Sequence, residues 1–167
     1  GSMEPHMFRG DLVFVMEEHR LAPRIAVAGT GVVSHQTAQK AGRYRKFGAY
    51  GDVIVFDAPS RNGPPIIHRV RFYVEEGENW YERANESYVR ADSCAELDYC
   101  PAPHAGFITK GDNSASNPHY DQASGLGPPV RPSWIHGTAE VRIPLLGHVR
   151  LVFDELGVRA LAAIASS

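Results

Sequence analysis

Pro64-Pro-Ile-Ile-His-Arg-Val-Arg-Phe-Tyr-Val74 has the pattern of a β-strand near the middle of the chain. Two prolines precede a run rich in β-branched and aromatic residues, and Glu76-Gly77 supplies a turn signal after it. Strand alternation predicts that one face carries the even-numbered residues Ile66, His68, Val70, Phe72 and Val74. The opposite face should then carry Ile67, Arg69, Arg71 and Tyr73.

Similar short segments, rich in Val, Ile, Phe and Tyr, recur on both sides of this strand between glycines and prolines. This pattern predicts a mostly β domain of short strands joined by long loops. The further strand candidates are 11–17, 52–57, 79–84, 106–110, 137–143 and 148–153. The only helix candidate is 154–164, so we expect at most one short helix, at the C-terminal end.

A length of 167 residues suffices for one domain with its own core, and we expect residues 1–167 to form a single domain. Three segments, near 34–50, 85–104 and 113–133, have the character of insertions between strands. The first contains four basic residues and no acidic one. It is either a surface that contacts anionic lipid headgroups or a solvated loop.

Composition restricts the class of function. A formal net charge of −2 gives no overall basic field, which argues against a nucleic-acid partner. No stretch approaches the roughly 18 apolar residues that a membrane-spanning helix needs. Cys94 and Cys100 lie six positions apart and could form a disulfide, remain as free thiols or, with His104 nearby, bind a metal ion.

Three segments carry residues suited to nucleophilic catalysis. Ser2 stands between a glycine and Met-Glu-Pro, a context that suits a serine on a bend. His68 lies in the middle of an apolar strand face, where a histidine is either a core residue or a general base. Asp112 and Asp121 follow a later strand candidate, and either could orient a histidine as the acid of a triad does.

The order of the motifs along the chain is more specific than any motif alone. They are Ser-Met-Glu-Pro (2–5), Gly-Asp-Leu-Val (10–13), Gly-Asp-Val-Ile-Val-Phe (51–56), Ile-His-Arg-Val (67–70), Thr-Lys-Gly-Asp-Asn (109–113), Ile-His-Gly-Thr-Ala-Glu-Val (135–141) and Ile-Pro-Leu-Leu-Gly-His-Val (143–149). This series resembles that of type I signal peptidases. Bacterial members have a lysine where this chain has His68, so the resemblance is to the archaeal and endoplasmic-reticulum branch.

The resemblance implies a signal-peptidase-like β domain and a set of catalytic roles. Ser2 matches the family nucleophile and His68 the general base. Asp121, behind a longer gap than is usual in the family, is our expected triad acid, and Asp112 would hold the turn or support the site. No cofactor and no metal are expected. The backbone N–H of Ser2 is a candidate donor to the oxyanion.

The same resemblance implies a function and a location. The expected reaction is hydrolysis of N-terminal signal peptides from secretory preproteins, at the extracytoplasmic or luminal face of a membrane. Met3, Met7 and Phe8 could line the substrate groove, rest on the lipid surface or pack in the core, and the family implies a membrane anchor that is absent from this chain. The alternatives are a non-catalytic β module that binds peptides or partner subunits, and a self-cleaving repressor-type peptidase.

Overall fold

The computed structural model describes residues 1–17, 23–59 and 61–144, and their regular structure is mostly β-strand. The predicted mostly β fold class is therefore confirmed. The strands and the α-helix of these residues are β1 (Leu12–Met16), α1 (His35–Lys40), β2 (Arg45–Lys46), β3 (Ala49–Tyr50), β4 (Val53–Phe56), β5 (Ile66–Val74), β6 (Gly106–Lys110) and β7 (Ile135–Ile143). Single-turn 3₁₀ helices are Trp80–Arg83, Glu86–Tyr88, Cys94–Glu96, Gln122–Ser124 and Pro132–Trp134.

Five of the strands form one antiparallel sheet in the order β1-β7-β4-β5-β6, and β2 pairs with β3 in a separate hairpin. The centre of the sheet is β4, whose four residues are all buried because side chains cover both of its faces. No helix in the described part of the chain is long and apolar enough to span a bilayer.

Five predicted strands agree with observed strands to within two residues, namely β1, β4, β5, β6 and β7. The strand predicted over 79–84 is wrong, since this segment forms the 3₁₀ helix Trp80–Arg83. Trp80 is fully buried, and its indole N–H donates a hydrogen bond of 2.7 Å to the carbonyl of Tyr99. The predicted strand 148–153 and helix 154–164 lie outside the described residues.

The predicted alternation along β5 fails after Val70. The register moves from Val70 opposite Thr109 to Phe72 opposite Ile108, so one residue of β5 has no partner of its own. Such a β-bulge reverses the faces beyond it. Ile66 and Val70 accordingly pack in one core cluster, whereas Phe72 packs in another, with Trp80 and Tyr120.

The first predicted insertion, 34–50, is ordered rather than a plain loop. It contains helix α1, which the sequence analysis did not predict, and the β2–β3 hairpin. The hydroxyl of Ser34 caps the helix by accepting a hydrogen bond from the N–H of Thr37. Arg69 of β5 is fully buried and donates hydrogen bonds to carbonyls of the hairpin and of Gly51, which fastens the hairpin to the sheet.

The other two insertions are also built into the structure. In 85–104, Cys94 and Cys100 are joined by a disulfide, which resolves the three alternatives left open by the sequence. The segment 113–133 does not simply run over the surface, because Tyr120 and Asp121 are buried. Its Val130 forms an isolated bridge with Phe107 at the outer edge of β6.

Candidate active site

His68 and Asp121 form a buried hydrogen-bonded pair. Nδ1 of His68 lies 2.7 Å from Oδ2 of Asp121, and the two side chains are 7% and 4% exposed. Because an ionised carboxylate can only accept, the proton of this bond belongs to Nδ1. In the neutral ring the lone pair is then on Nε2, which is the atom a general base uses.

The position of Asp121 is set by the central residues of β6. The hydroxyl of Thr109 donates to Oδ2 of Asp121 at 2.6 Å, and the backbone N–H of Asp121 donates to the Thr109 carbonyl at 2.9 Å. The side-chain oxygen of the next residue, Gln122, accepts from the Thr109 N–H at 3.0 Å. Two bonds thus hold Asp121, and a third holds its neighbour Gln122, to one strand residue that lies twelve positions before Asp121.

The segment that carries Ser2 rests on the turn after β6. The Ser2 carbonyl accepts a hydrogen bond of 2.8 Å from the Asn113 N–H, and the Asn113 side chain donates to the Gly1 carbonyl at 3.0 Å. A Cβ at Gly111 would lie only 2.6 Å from the Ser2 carbonyl oxygen. Lys110, the residue before Gly111, pairs with Arg69, the residue after His68, so the Ser2 backbone contacts the end of the strand that pairs with the strand of His68.

The hydroxyl of Ser2 makes no hydrogen bond to His68 within the described structure. Hydrogen bonds of catalytic groups are often absent or long before substrate binds. The structure therefore pairs the expected base with the expected acid, places the backbone of the expected nucleophile on the turn after β6, and shows no hydrogen bond between Ser2 and His68 among the residues it describes.

Asp112 has different partners from Asp121. Its carboxylate receives two hydrogen bonds from Arg69, at 2.8 and 2.7 Å, and a third from Nδ1 of His6 at 2.8 Å. Burial alone would raise the pKa of Asp112, but the hydrogen bonds and charge of Arg69, together with His6, hold it below its usual value. The partners of the Asp112 carboxylate are therefore Arg69 and His6, and not His68.

Lys110 stabilises the same turn from the strand side. Its Nζ donates to the Gly111 carbonyl at 2.9 Å and lies 4.7 Å from the centre of the Tyr88 ring. Burial and the nearby charge of Arg71 lower the pKa of Lys110. Lys110 therefore binds the turn that contacts Ser2, whereas the carboxylate of Asp121 is bound by His68 and not by this lysine.

Met3, Met7 and Phe8 line one cleft together with Ser2. The cleft is small, with a volume of about 40 Å³, and it is partly open to solvent; Ile67 of β5 forms another part of its wall. Met3 and Met7 are buried and also pack in the core beneath the cleft, whereas Phe8 is 50% exposed. All three predicted substrate-binding residues therefore lie beside the serine, and an apolar cleft there can take a small side chain.

Sequence reasoning missed three polar residues of this region: Thr109, Arg69 and His6. Thr109 and Arg69 stand within quoted motifs, yet nothing local shows that one would hold Asp121 and the other Asp112. Those partners depend on the pairing of β5 with β6. The described residues contain no group of three or more His, Cys, Asp and Glu side chains placed to hold a metal ion.

Comparisons of this chain with protein families, with curated proteins and with solved structures found no match. The functional inference therefore rests on the order of the sequence motifs and on the geometry around Ser2, His68 and Asp121.

Proposed function

We propose that the chain is the catalytic domain of a type I signal peptidase of the archaeal and endoplasmic-reticulum kind. One observation carries the proposal: His68 and Asp121 form a buried hydrogen-bonded pair, and the backbone of a serine in the family's nucleophile motif contacts Gly111, the residue after the one that pairs with Arg69. The agreement between this geometry and a motif series read from the sequence makes a chance arrangement of core residues a poorer explanation.

In the proposed mechanism, His68 and Asp121 activate Ser2. Oγ of Ser2 attacks the scissile carbonyl carbon while its proton passes to Nε2 of His68. Asp121 keeps the Nδ1 tautomer in place and stabilises the imidazolium that forms. The imidazolium then protonates the leaving amine, and the C–N bond breaks to give an acyl-enzyme. A water molecule, deprotonated by the same histidine, hydrolyses the ester and returns the proton to Ser2.

The proposed substrate is a secretory preprotein with small residues before the cleavage site. The cleft formed by Met3, Met7, Phe8 and Ile67 supports this choice, because its apolar wall adjoins the serine. The Cys94–Cys100 disulfide supports an extracytoplasmic or luminal location, since such bonds persist in oxidising compartments.

The test compares wild type with Ser2→Ala on a preprotein in detergent, with the cleavage site determined by mass spectrometry. Ser116→Ala, a change at an exposed serine of the loop before Asp121, is the matched control. We expect one cut after the signal peptide in wild type and in the control, and none in Ser2→Ala. Cleavage that persists in Ser2→Ala overturns the proposal.

A serine-directed fluorophosphonate gives a second readout that does not depend on the choice of preprotein. Wild type and Ser116→Ala should be labelled on Ser2, and Ser2→Ala should not be labelled. If wild type neither cleaves nor labels, the chain acts instead as a β module that binds peptides without cutting them.

A further inference from the structure

Beside the two Asn113 bonds described above, the carboxylate of Asp112 connects the strand of His68 to the segment of Ser2. On one side it takes two hydrogen bonds from Arg69, the residue directly after His68. On the other side it takes a hydrogen bond from His6, four residues after Ser2. The separation between Ser2 and His68 therefore depends on both contacts of this carboxylate.

The Arg69 side of this connection is rigid. The guanidinium is fully buried, and beyond its two bonds to Asp112 it donates to the carbonyls of Lys46 at 3.1 Å and Gly51 at 2.8 Å. A planar donor group with several fixed acceptors has little freedom to move. Arg69 therefore holds the Asp112 carboxylate in place, and this carboxylate is a fixed hydrogen-bond acceptor for His6.

On the His6 side, the connection to Ser2 runs through a short turn of the backbone. The N–H groups of His6 and Met7 both donate to the Met3 carbonyl, at 2.9 and 3.0 Å, so residues 3–7 form a tight turn directly after Ser2. The His6 ring also borders the β2–β3 hairpin, because a Cβ at Gly48 would lie 3.3 Å from its Cδ2. A displacement of this ring would shift the turn that carries Ser2.

We propose that His6 is a positioning residue, whose Nδ1–H bond to Asp112 holds the segment of residues 1–7 so that Ser2 faces His68. It does not touch the reacting atoms, and its effect on catalysis rests on the proposed function. The apolar packing of Met3 and Met7 holds the same segment to the core, but it does not fix its direction along the sheet.

The test uses two changes at His6 that differ in the retained donor. In His6→Asn the side-chain amide can place an N–H near the position of Nδ1, whereas His6→Phe keeps the ring and removes the donor. We expect His6→Phe to lower kcat by about 10- to 100-fold, the loss that misplacement by about 1 Å can cause. KM should change less than about threefold, since the cleft is retained, and His6→Asn should restore most of kcat.

Amide hydrogen exchange, read by mass spectrometry, tests the inference without any activity. In His6→Phe, exchange of peptides covering residues 1–9 should be at least about tenfold faster than in wild type, with residues 66–74 still protected. His6→Asn should exchange like wild type. If His6→Phe exposes residues 66–74 and so unfolds, His6→Gln, whose donor is displaced by one methylene, takes its place with the same expected result.

The two proposals fail separately. Wild-type exchange and wild-type kcat in His6→Phe overturn the role of His6 while Ser2-dependent cleavage stands. A chain without Ser2-dependent cleavage overturns the proposed function, and the exchange rates still show whether His6 holds the segment.

Discussion

Asp112 and Asp121 share a residue type and a loop, yet their surroundings give them different roles. Asp121 accepts hydrogen bonds from the His68 ring and the Thr109 hydroxyl, neither of which carries a permanent charge. Asp112 accepts from the permanently charged, buried guanidinium of Arg69. A carboxylate beside a permanent positive charge is a structural ion pair. A carboxylate beside a histidine can stabilise a proton that arrives and leaves during a reaction.

Asp121→Asn is expected to lower the cleavage rate by about 10³- to 10⁴-fold, because the amide keeps the shape but cannot stabilise the imidazolium. The melting temperature should stay within a few degrees of wild type, since an amide oxygen can still accept from Thr109. Cleavage rates and thermal melting curves measured in parallel check this. An active Asp121→Asn together with a stable but inactive Asp112→Asn would reverse the two roles.

Asp112 should make the fold sensitive to acid. Its pKa is lowered in the folded state by Arg69 and His6, against the effect of burial. The unfolded chain therefore takes up this proton first, and the stabilisation by Asp112 is present above the ordinary aspartate pKa of about 4. It is lost as the pH falls through the lower folded-state value.

The measurement for Asp112 is the urea midpoint of unfolding between pH 2 and pH 6. Wild type should lose stability below about pH 4. Asp112→Asn should start less stable, by about 3–5 kcal/mol, since it leaves buried Arg69 unpaired, and its curve should be flatter over the same range. Asp98→Asn, a change at an exposed carboxylate, is the control and should follow wild type.

At the scale of strands and loops, most of the sheet could be predicted because its strands are short apolar runs between clear turn signals. Features that depend on distant partners could not. The bulge in β5 arises from its pairing with β6, and Trp80–Arg83 is a helical turn because a distant carbonyl, that of Tyr99, receives the indole N–H. Helix α1 has only six residues and one buried side chain, too few for a recognisable period.

The candidate site shows the same division. Ser2, His68 and Asp112 could be selected because each stands in a motif of the family that the chain resembles, and Asp121 because it is the next aspartate after them, behind a longer gap. Their partners Arg69 and His6 could not, since the contact of each with Asp112 spans 43 or more positions of the sequence. Local sequence patterns identify residues of a reactive type. Which aspartate binds His68 and which binds Arg69 is decided by the tertiary structure.

The disulfide of the 85–104 segment should stabilise the fold modestly. Cys94 and Cys100 are six positions apart, and closing so small a loop contributes about 2 kcal/mol by the chain-entropy argument. The double change Cys94→Ser/Cys100→Ser should lower the melting temperature by about 4–8 °C. A reducing agent should give the same shift in wild type and none in the double variant. Equal melting temperatures of both proteins without reductant would contradict this.

At the scale of the molecule, the chain start crosses the whole sheet. Ser2 contacts the turn after β6 at one edge, whereas β1, which begins at Leu12, forms the other edge. Four strand spacings of about 4.8 Å separate those edges, and the residues between Ser2 and β1 bridge them. The crossing segment therefore connects Ser2, at the β6 edge, to β1 at the opposite edge of the sheet.

Gly111→Ala tests that crossing. Its Cβ would lie 2.6 Å from the Ser2 carbonyl and close to the Asn117 side chain, so the serine segment must shift. We expect cleavage to fall by about 100-fold while the melting temperature changes little. Gly63→Ala is the matched control, because a Cβ there meets only the flexible Arg61 side chain. Full activity of Gly111→Ala would show that Ser2 works from another position.

The crossing also sets the order in which the proposed site can come into being on the ribosome. Ser2 is synthesised before the turn that receives it, and 119 positions separate it from Asp121, the proposed acid. At about 5–20 residues per second, the serine waits roughly 6–24 s for its partners. Throughout that interval the nascent chain carries the proposed nucleophile without its proposed acid, so under the proposed mechanism it is inactive toward the other polypeptides emerging around it.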